Sequence, residues 1–188
     1  YAESHSAYCT AVEKRFRAAG LGERILERHR GPYQDFIPRH RYALILAIHS
    51  WYSFGYNAEL LRRTMDALAP GGTFILTVTC AEDFFFRNAV KQQTFSAEEL
   101  SQWAIEQGYE NELHRLRMPV PASALVTDGA LTEDAKGTIA FLMGRLWHKI
   151  PAAERQDIEQ RFMAAADRGG FERVYGLLHF RKPGQVNG

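Results

Sequence analysis

Residues 42 to 56, Tyr-Ala-Leu-Ile-Leu-Ala-Ile-His-Ser-Trp-Tyr-Ser-Phe-Gly-Tyr, constrain the fold more than any other stretch of this chain. Tyr42 to Ile48 is an apolar run without a charge, which reads as a strand buried on both faces, as in the middle of a parallel sheet. The run ends at His49. Ligands of open α/β sheets bind outside the carboxyl ends of the strands, so His49 and the aromatic residues after it are expected at a pocket. Asn57 to Leu68 then places Leu60, Leu61, Met65 and Leu68 on one helical face, with Arg62, Arg63 and Asp66 on the other. Ala69-Pro70-Gly71-Gly72 stops that helix. The β-branched and aromatic Thr73 to Thr79 is the next strand, completing a βαβ unit.

The remaining elements follow from local signals. Ala7 to Ala19 reads as a helix that Ser4 or Ser6 can cap. Ile25 to Arg28 is a short strand, and Gly31 to Phe36 a loop. Ala81 to Val90, with Phe84-Phe85-Phe86, is a helix or a lid. Ser96-Ala97-Glu98-Glu99 opens a helix with a capping box, which ends at Gly108. Tyr109 to Met118 is a strand, broken by Pro119 and Pro121. Helices are expected from Thr132 to Lys149 and from Ala152 to Arg168, then a last strand from Phe171 to Lys182. The chain thus reads as one domain over 1–188, with a helical insertion at 132–170 that can cover a pocket, and a disordered tail at 183–188.

Composition narrows the function classes. Apolar residues make up 46%, charged residues 24%, and the net charge is +1, so no strong field for nucleic acid is implied. No apolar run approaches the ~20 residues needed to cross a bilayer. Cys9 and Cys80 lack a CxxC partner, which argues against a zinc site and fits a reducing cytoplasm. His5, His114 and His179 have no ligand partner at metal spacing in the sequence, so no metal site is expected. There is no Gly-x-Ser-x-Gly elbow and no P-loop.

Ala47-Ile48-His49-Ser50-Trp51-Tyr52 at a strand end, with Leu68-Ala69-Pro70-Gly71-Gly72-Thr73-Phe74 after the helix, resembles the middle of the class I S-adenosylmethionine-dependent methyltransferases. The likeness is strongest to the histamine N-methyltransferase-like small-molecule branch, which also has a helical insertion before its last strand. The resemblance implies a Rossmann-like sheet with flanking helices and S-adenosylmethionine as cofactor. Glu3 falls where the family's acid binds the two ribose hydroxyls, a role a carboxylate suits because it accepts both protons. Ser4 and Tyr8 lie beside it. Tyr33-Gln34-Asp35 occupies the loop that touches the adenine, and Ile48 and His49 match residues lining the methionine end. The family's Gly-rich loop and first strand have no counterpart in these residues, and Ala43 stands where an acid is frequent. An upstream segment or a second chain completing the sheet is therefore expected.

Methyl transfer to a small-molecule acceptor, nitrogen before oxygen or sulfur, is the activity the resemblance implies. A non-catalytic binding module on the same fold is the alternative. His49 is the candidate catalytic residue, as base or pocket lining. Trp51 and Tyr52, with Phe54 and Tyr56, offer an aromatic wall for a cation, or pack the core. Phe84 is the third substrate candidate, with lid or core packing as the plainer role.

Overall fold

A computed structural model of the chain describes residues 2–3, 6–24, 27–48, 50–88, 95–143 and 145–184. They fall into two compact units, Tyr1–Arg41 and Tyr42–Gly188.

In the first unit, strand β1 (Ala2–Glu3) leads to helix α1 (Ser6–Ala18) and returns to β2 (His29–Arg30). β1 and β2 pair in parallel, with Glu3 opposite Arg30. The strand expected over Ile25 to Arg28 lies further on, at His29–Arg30; Ile25 and Leu26 are outside the described residues. Glu13 of α1 ties the unit together, lying 3.5 Å from Arg17, 3.5 Å from Arg28 and 3.1 Å from Arg30. A shared carboxylate of this kind is worth more than an isolated surface pair. His29 Nε2 sits 2.9 Å from the Pro32 carbonyl oxygen and its ring 5.4 Å from Phe36, which folds the Gly31-Pro32 turn onto β2.

The second unit is built on a four-stranded sheet. β3 (Tyr42–Ile48) and β4 (Leu68–Thr79) are parallel; β8 (Gly170–Arg181) runs antiparallel to both β4 and β5 (Asn111–Pro121). With its flanking helices this is the α/β, Rossmann-like architecture the sequence implies. Between β3 and β4 lies α2 (Ala58–Asp66), capped by Asn57, whose side chain accepts from the Leu60 N–H at 2.9 Å. At its other end Lys182 Nζ donates to the carbonyls of Met65, Asp66 and Leu68 at 3.2, 3.0 and 2.9 Å, a cation placed where the helix dipole favours one. α2 ends at Asp66, short of the expected Leu68, and Ala69-Pro70-Gly71-Gly72 lies within β4 instead of stopping the helix; Gly71, at φ 74°, falls where the pairing with β3 shifts register between Tyr42 and Leu44.

After β4 come α3 (Phe84–Asn88) and α4 (Ala97–Glu106). The capping box at Ser96 is complete: its hydroxyl accepts from Glu99 N–H at 3.2 Å, and Glu99 accepts from Ser96 N–H at 2.7 Å. β5 runs on through Pro119 to Pro121, against the expectation that these prolines break it. It can do so because β5 is an edge strand, where a missing N–H costs no ladder bond. Between β5 and β8 stand the hairpin β6 (Val126–Thr127) and β7 (Ala130–Leu131), then α5 (Glu133–Leu142) and α6 (Ala152–Asp167). The hairpin turn at Asp128-Gly129, both with positive φ, is a two-residue turn of the kind Asp-Gly favours, in a segment where no strand was expected. α5 is also shorter than expected, ending before a separate turn at Trp147–Lys149.

Two clusters hold this unit. Phe74, Leu76, Val78, Leu178 and Phe180 from one sheet face are buried with Leu60, Leu61, Met65, Leu100 and Ala104 of α2 and α4. A second cluster joins Phe85, Ile139, Ile158 and Phe162, with Phe84 and Phe171 packed against it. The register puts Leu44, Leu46 and Ile48 on the other sheet face, with Ile75 and Thr77. There they are 52%, 57% and 54% exposed. β3 is thus not buried on both faces, since it is an edge strand of this sheet and α4 packs on the opposite side.

Candidate functional site

In each unit some of the candidates stand at or just beyond the carboxyl end of a parallel strand. In the first, Glu3 is the last residue of β1, and Tyr33–Asp35 form a 3-10 turn just beyond β2. Gln34 and Asp35 are exposed, and the half-buried Tyr33 ring lies 6.1 Å from Phe36. Tyr8, on α1, is 60% exposed. Ser4 lies outside the described residues, as does His49 in the second unit.

In the second unit Ile48 ends β3 opposite Thr77 of β4. The aromatic residues after it separate. Trp51 is buried, its ring 5.5 Å from Phe54 and 5.7 Å from Phe74. That corrects its place in a substrate wall: it is a core residue, whereas Tyr52 and Tyr56 are exposed, at 44% and 47%. The Trp51 indole N–H has no hydrogen-bond partner among the described residues. Tyr56 turns instead toward Phe95 and Trp103, at 5.2 and 5.5 Å. Burial, with Glu99 nearby, raises its phenol pKa.

The end of β4 is organised by Asp83, a residue absent from the sequence reading. Its carboxylate is fully buried. Oδ1 accepts from the N–H groups of Phe85 and Phe86 at 2.9 and 3.2 Å, capping α3. Oδ2 accepts from Val174 N–H at 2.7 Å and Arg173 Nε at 2.9 Å, clamping the start of β8. The Arg173 guanidinium lies over the rings of Phe85 and Tyr175, at 4.5 and 4.8 Å. Burial holds the Tyr175 phenol above its usual range, Arg173 pulling against it. An acid before an apolar run hints at a helix cap; its pairing with Arg173, 90 residues away, leaves no local trace.

Beside this clamp, Glu98 of α4 accepts from Ala81 N–H and from Arg115, both at 3.0 Å. Burial pushes its pKa up, but the hydrogen bonds outweigh that and hold it below the ordinary carboxylate range. Burial pushes the Cys80 thiol up to about 12, with Glu98 adding to the effect, so Cys80 is no nucleophile.

A cavity of about 500 Å³ opens between α3, the ends of β5 and β8, and α6. Phe84 lies on its wall and stacks on Phe171, with ring centroids 4.3 Å apart. Phe84 packs in the aromatic cluster, the plainer of the roles weighed for it, and also borders this cavity.

The sequence expectation that His114 and His179 have no ligand partner needs correction. Antiparallel pairing places Glu112 opposite His179, and the Glu112 carboxylate is 3.4 Å from His114 and 3.7 Å from His179. Possible ligand atoms of the three lie within 4.8 Å of one another. Glu112 and His114 are largely exposed, as surface charged groups commonly are.

No protein-family model matches the chain, and no curated protein matches it. Solved structures do. A protein from Galdieria sulphuraria assigned as a sarcosine dimethylglycine methyltransferase shares 13% identity at a TM-score of 0.51, over 96% of this chain and 68% of its own. The YcgJ protein from Bacillus subtilis shares 13% at 0.58, over 97% of this chain and 81% of its own. The [4+2]-cyclase SpnF shares 17% at 0.52, over 96% of this chain and 65% of its own. Identities this low show the fold alone: the chain has the α/β fold on which both a methyltransferase and a cyclase are built.

Proposed function

We propose that this chain carries out S-adenosylmethionine-dependent methyl transfer to a small molecule, with nitrogen the favoured acceptor atom, as in the histamine N-methyltransferase-like branch. The observation that carries the reading is the sheet order β3-β4-β8-β5 with β8 reversed, in a fold shared with methyltransferases. A fold alone hosts many chemistries, so the residues must also suit the cofactor. One feature supports that fit. Glu3 ends one strand of a parallel pair, and the other strand leads into Tyr33-Gln34-Asp35, so an acidic residue ends one strand and a polar turn follows its neighbour, an order compatible with a nucleoside site.

When bound, the cofactor supplies a methyl group activated by its sulfonium. Glu3 would accept the ribose hydroxyl protons; Ser4 and Tyr8 would border that end, and Tyr33-Gln34-Asp35 the adenine. Ile48 and His49 would line the methionine end. His49 would orient the acceptor or take its proton at a neutral imidazole nitrogen, and Tyr52 would offer an aromatic face to a cationic acceptor. Two buried free cysteines, Cys9 and Cys80, suit a reducing cytoplasm. β3 is an edge strand of its sheet among the described residues, and along that edge an upstream segment or second chain completing the sheet would pair.

Calorimetric titration with S-adenosylhomocysteine tests this. Glu3→Ala should weaken binding by about 1.5–3 kcal/mol, the loss of charge-assisted hydrogen bonds. Unchanged affinity removes Glu3 from the site. Absence of binding by the unsubstituted protein, with or without a supplied completing segment, defeats the whole reading. His49→Asn should cost roughly 100-fold in turnover if the imidazole is a base, and little if it only lines the pocket.

A further inference from the structure

We propose that the cavity beneath α6 binds the anionic group, a carboxylate or a phosphate monoester, of a small amphiphilic molecule; only the identification of that molecule as the methyl acceptor rests on the reading above. The cavity stands at the carboxyl end of β4, the strand next to the one that ends at Ile48. It therefore opens at the end of the sheet where α/β folds bind ligands.

Its charge is the first argument. Four guanidinium groups border it, from Arg87, Arg117, Arg161 and Arg168, against the carboxylates of Glu82 and Glu172. Those two acids are not free to repel an anion. Arg117 lies between them, donating to each at 2.8 Å, and Arg115 stands 3.5 Å from Glu82. Arg161 is held by Asp157 one turn back on α6. Arg87 and Arg168 remain. Arg87 spends only its Nε, on the Ala81 carbonyl at 3.2 Å, and neither has a carboxylate partner among the described residues. Arg168 also follows the C-terminus of α6, where a cation is favourable. That explains its sign but leaves its planar donors unused. Two unspent guanidinium forks match carboxylate or phosphate oxygens, which they bind in bidentate fashion.

The wall is the second argument. Phe84 and Phe171 stack with an interplanar angle of 20°, Val174 continues the apolar surface, and Phe162 meets Phe84 edge-on at 5.1 Å. A ligand with an anionic head and a flat or alkyl body would satisfy both parts, whereas a bare inorganic ion would leave the aromatic wall unused. The volume, about 500 Å³, suits a small molecule.

The test uses the whole chain with three matched probes: phenyl phosphate, benzoate and benzyl alcohol, titrated calorimetrically. Saturable binding of either anion, at least tenfold tighter than benzyl alcohol, is expected. The tighter anion tells a phosphate from a carboxylate site. Arg87→Ala combined with Arg168→Ala should weaken that binding at least tenfold, and Arg168→Glu alone should do the same. Arg62→Ala, on the surface of α2, should leave it unchanged; circular dichroism checks that each variant is folded. Equal binding of benzyl alcohol, retained affinity in the double variant, an equal loss in Arg62→Ala, or no saturation below about 10 mM overturns the proposal. Titration of the same samples with S-adenosylhomocysteine separates the two readings. Anion binding without it leaves the subsite standing and the methyl-transfer reading fallen, and the reverse result does the opposite.

Discussion

Replacing Asp83 with alanine should be among the most damaging single changes in the second unit. The carboxylate is buried and receives four donors: two backbone N–H groups of α3, the Val174 N–H and the Arg173 guanidinium, whose side chain is only 11% exposed. Alanine removes an N-cap, worth about 1 kcal/mol, and strands a largely buried cation. Breaking a buried pair from one side costs about 3–5 kcal/mol in all, against a total stability of about 5–15 kcal/mol. For a chain of this length that corresponds to a fall in melting temperature of roughly 6–20 °C. Asp83→Asn keeps the shape and one acceptor oxygen, so it should fall between wild type and alanine. The pair is best isolated by a double-mutant cycle with Arg173→Met in urea denaturation. The double variant should be less destabilised than the sum of the singles, because the second change removes the stranded partner. An Asp83→Ala unfolding free energy within about 0.5 kcal/mol of wild type, or strict additivity in the cycle, would refute the clamp.

Three further outcomes can be checked by the same unfolding measurements. Glu98 has a folded-state pKa below its unfolded value, so its contribution is present above the unfolded carboxylate pKa of about 4.3 and is lost as pH falls through the folded value. The stability gap between wild type and Glu98→Gln should therefore be full at neutral pH and shrink below that point; a gap constant into acid would refute it. Gly176→Ala should cost about 1–3 kcal/mol by overpacking, since the added Cβ would collide with that of Ala97 and come within 2.9 Å of Leu113; a neutral change would mean that α4 stands off the sheet. Cys9 and Cys80 are buried, and Cys80 has its thiol pKa near 12, so the native protein should not react with a disulfide reagent at pH 8 until denaturant is added.

What was legible in the sequence was what short-range chemistry specifies. The span of β3 matches its apolar run residue for residue, and the capping box at Ser96 is closed as its spacing implies. Helix α2 starts at its asparagine cap, but the expected stop at Ala69-Pro70-Gly71-Gly72 is not where it ends: α2 closes at Asp66, and these residues already belong to β4. The misses depend on distant partners. Pro119 and Pro121 break a central strand but not an edge strand, and edge position is set by β8, some fifty residues later. Trp51 follows a strand end, where ligands gather, but Phe74 draws it into the core. Asp83 needed Arg173 to become a clamp. Glu112 lies two residues from His114 on the same strand, but reached His179 only once β5 and β8 were paired.

The edge strand supplies the last test, because there the composition and the structure pull apart. Leu44, Leu46 and Ile48 have the character of a strand covered on both sides, yet each is about half exposed, and Leu116 and Met118 on β5 join them on the same face at 49% and 51%. An apolar face of this kind is uncommon on a monomer surface unless something packs there. The two states make opposite predictions for Leu46→Thr. If the face stays open, the substitution removes a side chain that makes few contacts, and stability should move by no more than about 0.5 kcal/mol, while solubility improves. If another segment or a second copy covers the face, Leu46 is a core residue there, and the same change should cost about 2 kcal/mol or more through the lost apolar burial and the hydroxyl placed against it. Urea denaturation at two protein concentrations distinguishes a second copy from a segment of the same chain, since only association makes the midpoint concentration-dependent. A small, concentration-independent change would confirm the open face; a large one would show that β3 meets a partner that Tyr42–Gly188 does not itself supply.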